Sequence, residues 1–113
     1  MSRKTITFSP VDESASLAAI DRLRASHNQA ATMANTLENA VRQRAIAEDD
    51  LARHSRWCHT EGKYGAGVEP ARDAARAMYG FVPERLIGHD TKPVPDAKIL
   101  LAEYRRRLEG SEQ

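Results

Sequence analysis

One short segment gathers most of the residue types that catalysis and metal binding use. Residues 53–59 contain the only Trp and the only Cys of the chain, together with two of its four His residues. His54 and Cys58 are four positions apart, so on a helix they share one face and form a weak candidate pair of metal ligands. The spacing matches no strong zinc pattern, because there is no second Cys and no HExxH. Packing is the favoured role, with Trp57 anchoring a helix end and Cys58 filling apolar space.

The other reactive residues form no catalytic arrangement. Asp49 and Asp50 are adjacent, so their carboxylates point to different faces of a helix. Cys58 beside His59 has no third group that would orient the histidine. Residues 63–67 contain two glycines but have neither the P-loop spacing nor GxGxxG. The sequence therefore predicts no enzyme, no cofactor and no metal site.

The overall composition excludes several classes of protein. At 113 residues the chain fits one domain and is too short for a TIM barrel or a two-half dinucleotide-binding enzyme. Its 17 Lys and Arg against 16 Asp and Glu leave a net charge of +1, so no global field points to a partner. A single cysteine fits a reducing compartment, and no apolar run approaches the roughly 20 residues that span a bilayer. We expect a cytoplasmic, mainly helical protein without a membrane segment.

The first residues alternate in a way that is typical of a β-strand. Within residues 4–8, Ile6 and Phe8 share one side, and Thr5 and Thr7 share the other. A lone strand is not stable by itself, and no second convincing strand follows in the sequence. We therefore expect this strand to pair with its own copy in a homodimer.

Two helices are predicted after the strand. The first begins at Pro10, and residues 26–29 have the cap-and-turn residue types that predict a turn. The second runs over residues 30–58 and is the strongest helical signal of the chain. The alternative is one unbroken helix over residues 10–58, about 70 Å long, because the apolar residues stay roughly in heptad phase. The predicted core and dimer residues are Ile6, Phe8, Leu17, Ile20, Leu23, Met33, Leu37 and Val41.

The C-terminal half predicts shorter helices. Glycine and proline punctuate it, so element boundaries can be placed from these residues. The predicted elements are a loop at 60–68, a helix from Pro70 to Tyr79, a helical turn at 81–88, a linker at 89–95 and a last helix at 96–108. The chain is thus divided into a strand-plus-helix region, 1–58, and a C-terminal helical region, 59–113. The fold class is mainly α: a short strand, helix–turn–long helix, a loop and two to three shorter helices.

The N-terminal segments follow one another in a recognisable order. RKTITF at residues 3–8 is followed by a Ser-capped helix, a turn and ATMANTLENAV at residues 31–41. Over residues 3–45 this order resembles the ribbon–helix–helix (MetJ/Arc-type) family of bacterial and phage repressors. In that family two chains pair their strands into an antiparallel ribbon that enters the DNA major groove, above a core of four helices. The resemblance implies that Ile6 and Phe8 face the helices.

The resemblance also implies contacts with DNA. Arg3, Thr5 and Thr7 would face base edges, since Arg binds guanine and Thr can donate, accept or contact a thymine methyl. Backbone N–H groups at the start of the second helix, near Asn28, would hold a phosphate. No acidic residue precedes Asp12, which fits a small basic arm at this end.

These expectations combine into a small homodimeric DNA-binding transcriptional regulator of bacterial or phage type. Its partners would be double-stranded DNA and, through residues 59–113, an effector or a partner protein. The competing prediction is a non-enzymatic helical protein-binding module, such as a phage-type inhibitor or adaptor, that acts through the long helix and the region around Trp57. The near-neutral charge suits that alternative. A structural dimer built on one long helix pair is a third possibility.

Overall fold

The chain forms five α-helices and a two-stranded sheet in the part that the structure describes. This computed structural model describes residues 4–86 and 96–110. The elements are β1 (Thr5–Thr7), α1 (Glu13–Ser26), α2 (Ala30–Gln43), β2 (Ala45–Ala47), α3 (Glu48–His59), a 3₁₀ turn (Gly62–Tyr64), α4 (Gly65–Tyr79) and α5 (Ala97–Gly110). The predicted class, mainly helical after a short N-terminal strand, is confirmed. None of the helices described has both the length and the apolar character needed to cross a membrane.

β1 finds its partner inside the same chain. It pairs antiparallel with β2 so that Ile6 lies opposite Ile46, and both side chains are buried. The pairing continues where the N–H of Phe8 donates to the carbonyl of Arg44 at 3.0 Å. The prediction that this strand pairs with its own copy is therefore wrong. The partner was missed because β2 has only three residues and lies between two helical segments, so it shows no alternating pattern of its own.

Arg44 divides the predicted long second helix. Its backbone is left-handed (φ 56°, ψ 39°), and its N–H caps α2 by bonding to the carbonyls of Ala40 and Val41. The chain then enters β2 before α3 begins. The helix predicted over residues 30–58 is thus two helices, and the unbroken alternative over residues 10–58 is wrong as well. No glycine or proline marks this break, and the pairing of β2 with β1 is what holds a non-glycine residue in this sparsely populated conformation.

The predicted turn before α2 is confirmed. The N–H of Ala30 donates to the carbonyl of His27 at 3.0 Å where α2 begins. The start of α1 differs from the prediction, because the helix begins at Glu13 rather than at Pro10. Asp12 is its N-cap, and the carboxylate accepts a hydrogen bond of 2.9 Å from a backbone N–H of the first turn.

A single hydrophobic core joins the two regions predicted from the sequence. α1 packs against both α2 and α4, and α3 packs against α4. Leu17 is half-buried against this core, and the other predicted core residues are buried: Ile6, Phe8, Ile20, Leu23, Met33, Leu37 and Val41. Their apolar surface is covered within one chain.

The C-terminal elements have other boundaries than expected. α4 begins at Gly65, so Pro70 lies inside the helix rather than at its start. Residues 81–86 are not helical, so the helical turn predicted there is wrong. The rest of that turn at 87–88 and the predicted linker at 89–95 lie outside the described residues. The last predicted helix is confirmed as α5.

Hydrogen bonds hold residues 84–86, which follow α4, against α3. Ser55 is buried, donates to the carbonyl of Glu84 at 2.5 Å and accepts from the N–H of Leu86 at 3.0 Å. The hydroxyl of Tyr104 on α5 accepts a hydrogen bond from the N–H of Glu84. The Tyr104 bond thus connects α5 to residues 84–86, which the Ser55 bonds hold against α3.

Candidate nucleic-acid interface

The solvent side of α2 carries a row of uncharged hydrogen-bonding side chains. Thr32, Thr36, Asn39 and Gln43 follow one another at spacings of four, three and four, which places them on one narrow stripe of the helix. Thr36 is half-buried and the other three are exposed. The Thr36 hydroxyl donates to the carbonyl of Thr32 at 3.0 Å. This set is called the α2 polar row below.

The single carboxylate of the same helix is paired with two arginines. Glu38 is the only acidic residue of α2. Its two oxygens lie 2.6 Å from Arg24 Nη2 and 3.1 Å from Arg42 Nη2. The hydrogen bond from Arg24 and then that from Arg42 lower the pKa of Glu38. α2 itself therefore adds no unpaired carboxylate to its polar row. Asp50 of α3 lines the cavity beside the row, and its carboxylate is paired with Arg53.

A groove runs along the row between α2 and α3. At one end an open cavity of about 370 Å³ has Thr5, Asn39 and Gln43 in its lining. At the other end a second cavity of about 280 Å³ reaches Gln29. Thr36 lines both cavities, so the two lie next to each other along α2, and together they are called the α2–α3 groove.

Two arginines of α3 lie across the groove from the row. Arg53 Nη1 is 3.2 Å from the carboxylate of Asp50. The guanidinium carbon of Arg56 is 5.7 Å from the ring centre of Tyr64, and no carboxylate of the described residues pairs with it. The α3 side of the groove is therefore positively charged near Arg56.

The structure separates the DNA-contact residues that the sequence predicted. Thr5 and Thr7 are exposed on β1, and Thr5 lines the groove. Asn28 is exposed in the turn before α2, at the opposite end of that helix from Gln43. Arg3 lies outside the described residues. Of the predicted residues that are described, Thr5 is the one that meets the α2 polar row.

The sequence contained a signal for the polar row. Met33, Leu37 and Val41 mark the buried face of α2. Thr, Asn and Gln residues recur at helical spacing on a different face, with neither an apolar nor a charged side chain among them. Apolar spacing identifies the first face only, so the second was missed.

α5 covers the outer edge of β1. Arg105 Nη1 donates to the carbonyl of Thr5 at 3.0 Å, and the N–H of Thr7 donates to Glu109 Oε2 at 3.3 Å. Arg105 Nη2 also lies 2.6 Å from Glu48, a hydrogen bond that raises the pKa of the guanidinium. A strand from a second copy would need these same backbone groups. A ribbon between two copies would therefore require α5 to leave this edge.

His54 and Cys58, the weak metal-ligand pair, belong to the buried core. His54 Nε2 donates to the carbonyl of Ala71 at 2.9 Å, so Nδ1 accepts from the hydroxyl of Tyr79 at 2.9 Å. Burial raises the pKa of the Cys58 thiol to about 12, which disfavours the thiolate that a metal would need. Within residues 4–86 and 96–110, no three His, Cys, Asp or Glu side chains form a group that could hold a metal ion.

Comparisons with known proteins find no relative of this chain. No protein-family model, no curated protein and no solved structure matches it. The resemblance to ribbon–helix–helix proteins stays a prediction based on residues 3–45. A proposed function therefore rests on the chemistry of the described surface. The feature used below is the α2 polar row, which lies beside two arginines of α3.

Trp57 has the packing role that its position predicted. It is 8% exposed and lies 4.4 Å from Tyr64 between ring centres, with the His27 ring at 6.3 Å. Gly67 of α4 lies directly against the indole, where a Cβ would come within 2.5 Å of it. Trp57 therefore anchors the end of α3 against α4 and forms the floor at one end of the groove.

Proposed function

We propose that this protein is a small DNA-binding regulator that presents α2 to the major groove. The observation that supports this is the α2 polar row, an exposed line of side chains that can hydrogen-bond to base edges. The row brings no free carboxylate towards the phosphates, because the only acidic residue of α2 is paired with two arginines. The major groove of B-DNA is wide enough for one α-helix, so a single exposed helix suffices.

The residue types of the row favour contact with bases over simple solvation. Asn39 and Gln43 carry amides that donate and accept at once, which matches N6 and N7 of adenine. Thr32 and Thr36 offer a hydroxyl and a methyl, and the methyl suits that of thymine. We therefore expect a preference for sites that contain A·T base pairs.

Positive side chains around the row would contact phosphates. Arg56 lies across the groove and is the main candidate, because Arg53 and Arg42 each share their charge with a carboxylate, Asp50 and Glu38. Thr5 extends the row onto β1 and retains one of the base contacts that the sequence predicted. With a net charge of only +1, we expect weak non-specific binding and a large share of the affinity from base contacts.

This proposal keeps the predicted function and changes the element that reads DNA. In the ribbon–helix–helix arrangement a pair of strands enters the groove, whereas here α5 covers the strand edge that such a ribbon needs. Because β1 has its partner within the chain, the homodimer stays a prediction without the strand pairing that motivated it. Two copies that bind neighbouring half-sites would restore the expected symmetry on DNA.

The proposal is tested by selecting bound duplexes from a pool with a random central sequence and then measuring affinities at several salt concentrations. Asn39→Ala and Gln43→Ala are expected to weaken binding to the selected duplex by about 5- to 100-fold and to relax its base preference. Arg56→Ala is expected to weaken binding to all duplexes alike and to reduce the salt slope by about 1.

Glu103→Gln is the control, since it changes an exposed α5 side chain outside the groove and should leave binding unchanged. If the folded protein binds no duplex from the pool, the DNA-binding proposal is wrong. The competing proposal of a helical protein-binding module would then take its place. Its contact surface would be the α2–α3 groove, because Arg44 divides the long helix through which it was expected to act.

A further inference from the structure

The end of the groove beside Tyr64 is a pocket with an apolar floor. Its volume is about 280 Å³. Met33 and Trp57 lie at its base and are 5% and 8% exposed, and Tyr64 forms one wall. The Trp57 and Tyr64 rings are inclined by 31° at a centroid distance of 4.4 Å. This cavity is called the Tyr64 pocket.

The rim of the Tyr64 pocket is positively charged. Arg53 and Arg56 line it, and no carboxylate of the described residues does. Arg53 forms an ion pair with Asp50, which does not line the pocket. The guanidinium of Arg56 faces the Tyr64 ring and has no carboxylate partner among the described residues. The ammonium of Lys63 lies 5.6 Å from the centre of the same ring and adds a positive charge nearby.

We propose that the Tyr64 pocket binds a small planar aromatic carboxylate. Its volume is near the lower end of small-molecule sites, which fits one ring with one acidic group. The ring would lie on Met33 and Trp57, where apolar surface is already assembled. The carboxylate would accept two parallel hydrogen bonds from the planar guanidinium of Arg56. The pocket thus selects for a flat ring and a negative charge together.

A bound carboxylate would occupy part of the surface proposed to face DNA. Thr32 and Thr36 line the Tyr64 pocket and also belong to the α2 polar row. An anion at this position covers both side chains and repels phosphates, so the carboxylate and DNA weaken each other's binding by the same factor. This regulatory step rests on the proposed function, whereas binding of the carboxylate itself does not.

The only tryptophan of the chain lies in the pocket floor, so its fluorescence reports occupancy without a label. Benzoate is the probe, benzamide is the uncharged ring and acetate is the anion without a ring. Benzoate is expected to change the Trp57 emission saturably with a dissociation constant on the order of millimolar. Benzamide and acetate are expected to bind about tenfold more weakly or not at all.

Substitutions then locate the binding. Arg56→Gln is expected to weaken benzoate binding about tenfold, because a charge-assisted hydrogen-bond pair is lost. Arg56→Lys is expected to restore part of the affinity, since it keeps the charge but not the planar fork. Lys98→Gln removes an exposed positive charge on α5 and should leave benzoate binding unchanged.

The outcomes distinguish the pocket from the proposed function. Equal responses to benzoate and benzamide, or a benzoate response that Arg56→Gln leaves intact in a variant with unchanged Tm, overturn the pocket. Benzoate binding that does not change DNA affinity overturns the regulatory step alone. Benzoate binding by a chain that retains no duplex supports the pocket and counts against the DNA-binding proposal.

Discussion

At the scale of single residues, His54 is held in one protonation state by its surroundings. It is fully buried, and both ring nitrogens are hydrogen-bonded, one to the Ala71 carbonyl and one to the Tyr79 hydroxyl. Burial lowers the pKa of His54 to about 4, although the bond to Ala71 acts in the opposite direction. At neutral pH the imidazole is therefore uncharged and fully satisfied.

The free energy of unfolding is expected to fall as the pH drops from about 6.5 towards 4, through His54. The unfolded chain takes up a proton at its ordinary pKa of 6.5, whereas the folded chain does so only near its pKa of about 4. The contribution of His54 to the free energy of unfolding is therefore fully present above the unfolded pKa. It is lost progressively below that pKa, by roughly 3 kcal/mol in all. Urea unfolding at a series of pH values measures the slope.

His54→Gln is the control for that slope. Glutamine keeps a donor and an acceptor but does not titrate, so this variant should lose about 1–3 kcal/mol at neutral pH. It should also have a flatter pH dependence than the parent above the range in which carboxylates titrate. Equal slopes in the two proteins between about pH 6.5 and pH 5 would show that His54 is not the titrating group.

A pair of glycines in α4 should respond to alanine in opposite directions. A Cβ at Gly67 would lie 2.5 Å from Trp57 Cζ3, whereas a Cβ at Gly65 would meet nothing within 4 Å. Gly67→Ala is expected to destabilise the protein by about 1–2 kcal/mol, because overpacking exceeds the gain in helix propensity. Gly65→Ala should stabilise it by up to about 1 kcal/mol. Thermal melts followed by Trp57 fluorescence measure both, and a stabilising Gly67→Ala would contradict the close contact.

At the scale of elements, α5 protects a short sheet that would otherwise have an open edge. β1 and β2 have three residues each, and the outer edge of β1 is contacted by Arg105 and Glu109. An uncovered edge strand is a template for pairing with another chain. The contact of α5 therefore favours pairing of β1 with β2 inside one chain.

Arg105→Ala is expected to lower the free energy of unfolding by about 1 kcal/mol, a value that allows for solvent screening of a half-exposed group. The substitution removes the hydrogen bond to the Thr5 carbonyl and the ion pairs with Glu48 and Glu109. Arg106→Ala is the matched control, since the neighbouring side chain is exposed and should change stability by no more than about 0.5 kcal/mol. Similar losses in both variants would show that the contact with β1 does not stabilise the fold.

At the scale of the whole molecule, periodic signals were predictable and the pairing of distant segments was not. Leu37 and Val41 follow helical spacing, so their burial could be predicted from nearby residues alone. The break at Arg44 depends on β1, which lies far away in the chain, and no local residue type announces it. The candidate site divides in the same way. Strand alternation predicted that Thr5 lies on the side opposite Ile6, and the resemblance implied its contact with DNA, whereas its place beside Asn39 follows from the pairing of β1 with β2.

The thermal midpoint of unfolding is expected to be independent of protein concentration over about a hundredfold range. β1 pairs with β2, and the side chains of Ile6 and Phe8 are covered within one chain, so folding needs no second copy. A chain whose strand pairs between copies unfolds together with its dimer, and its midpoint falls on dilution. Circular dichroism melts at low and high concentration measure the difference, with sedimentation as the check on mass. A midpoint that falls on dilution as a dimer dissociates would show that association of two copies stabilises the fold, and it would contradict a chain that folds without a second copy.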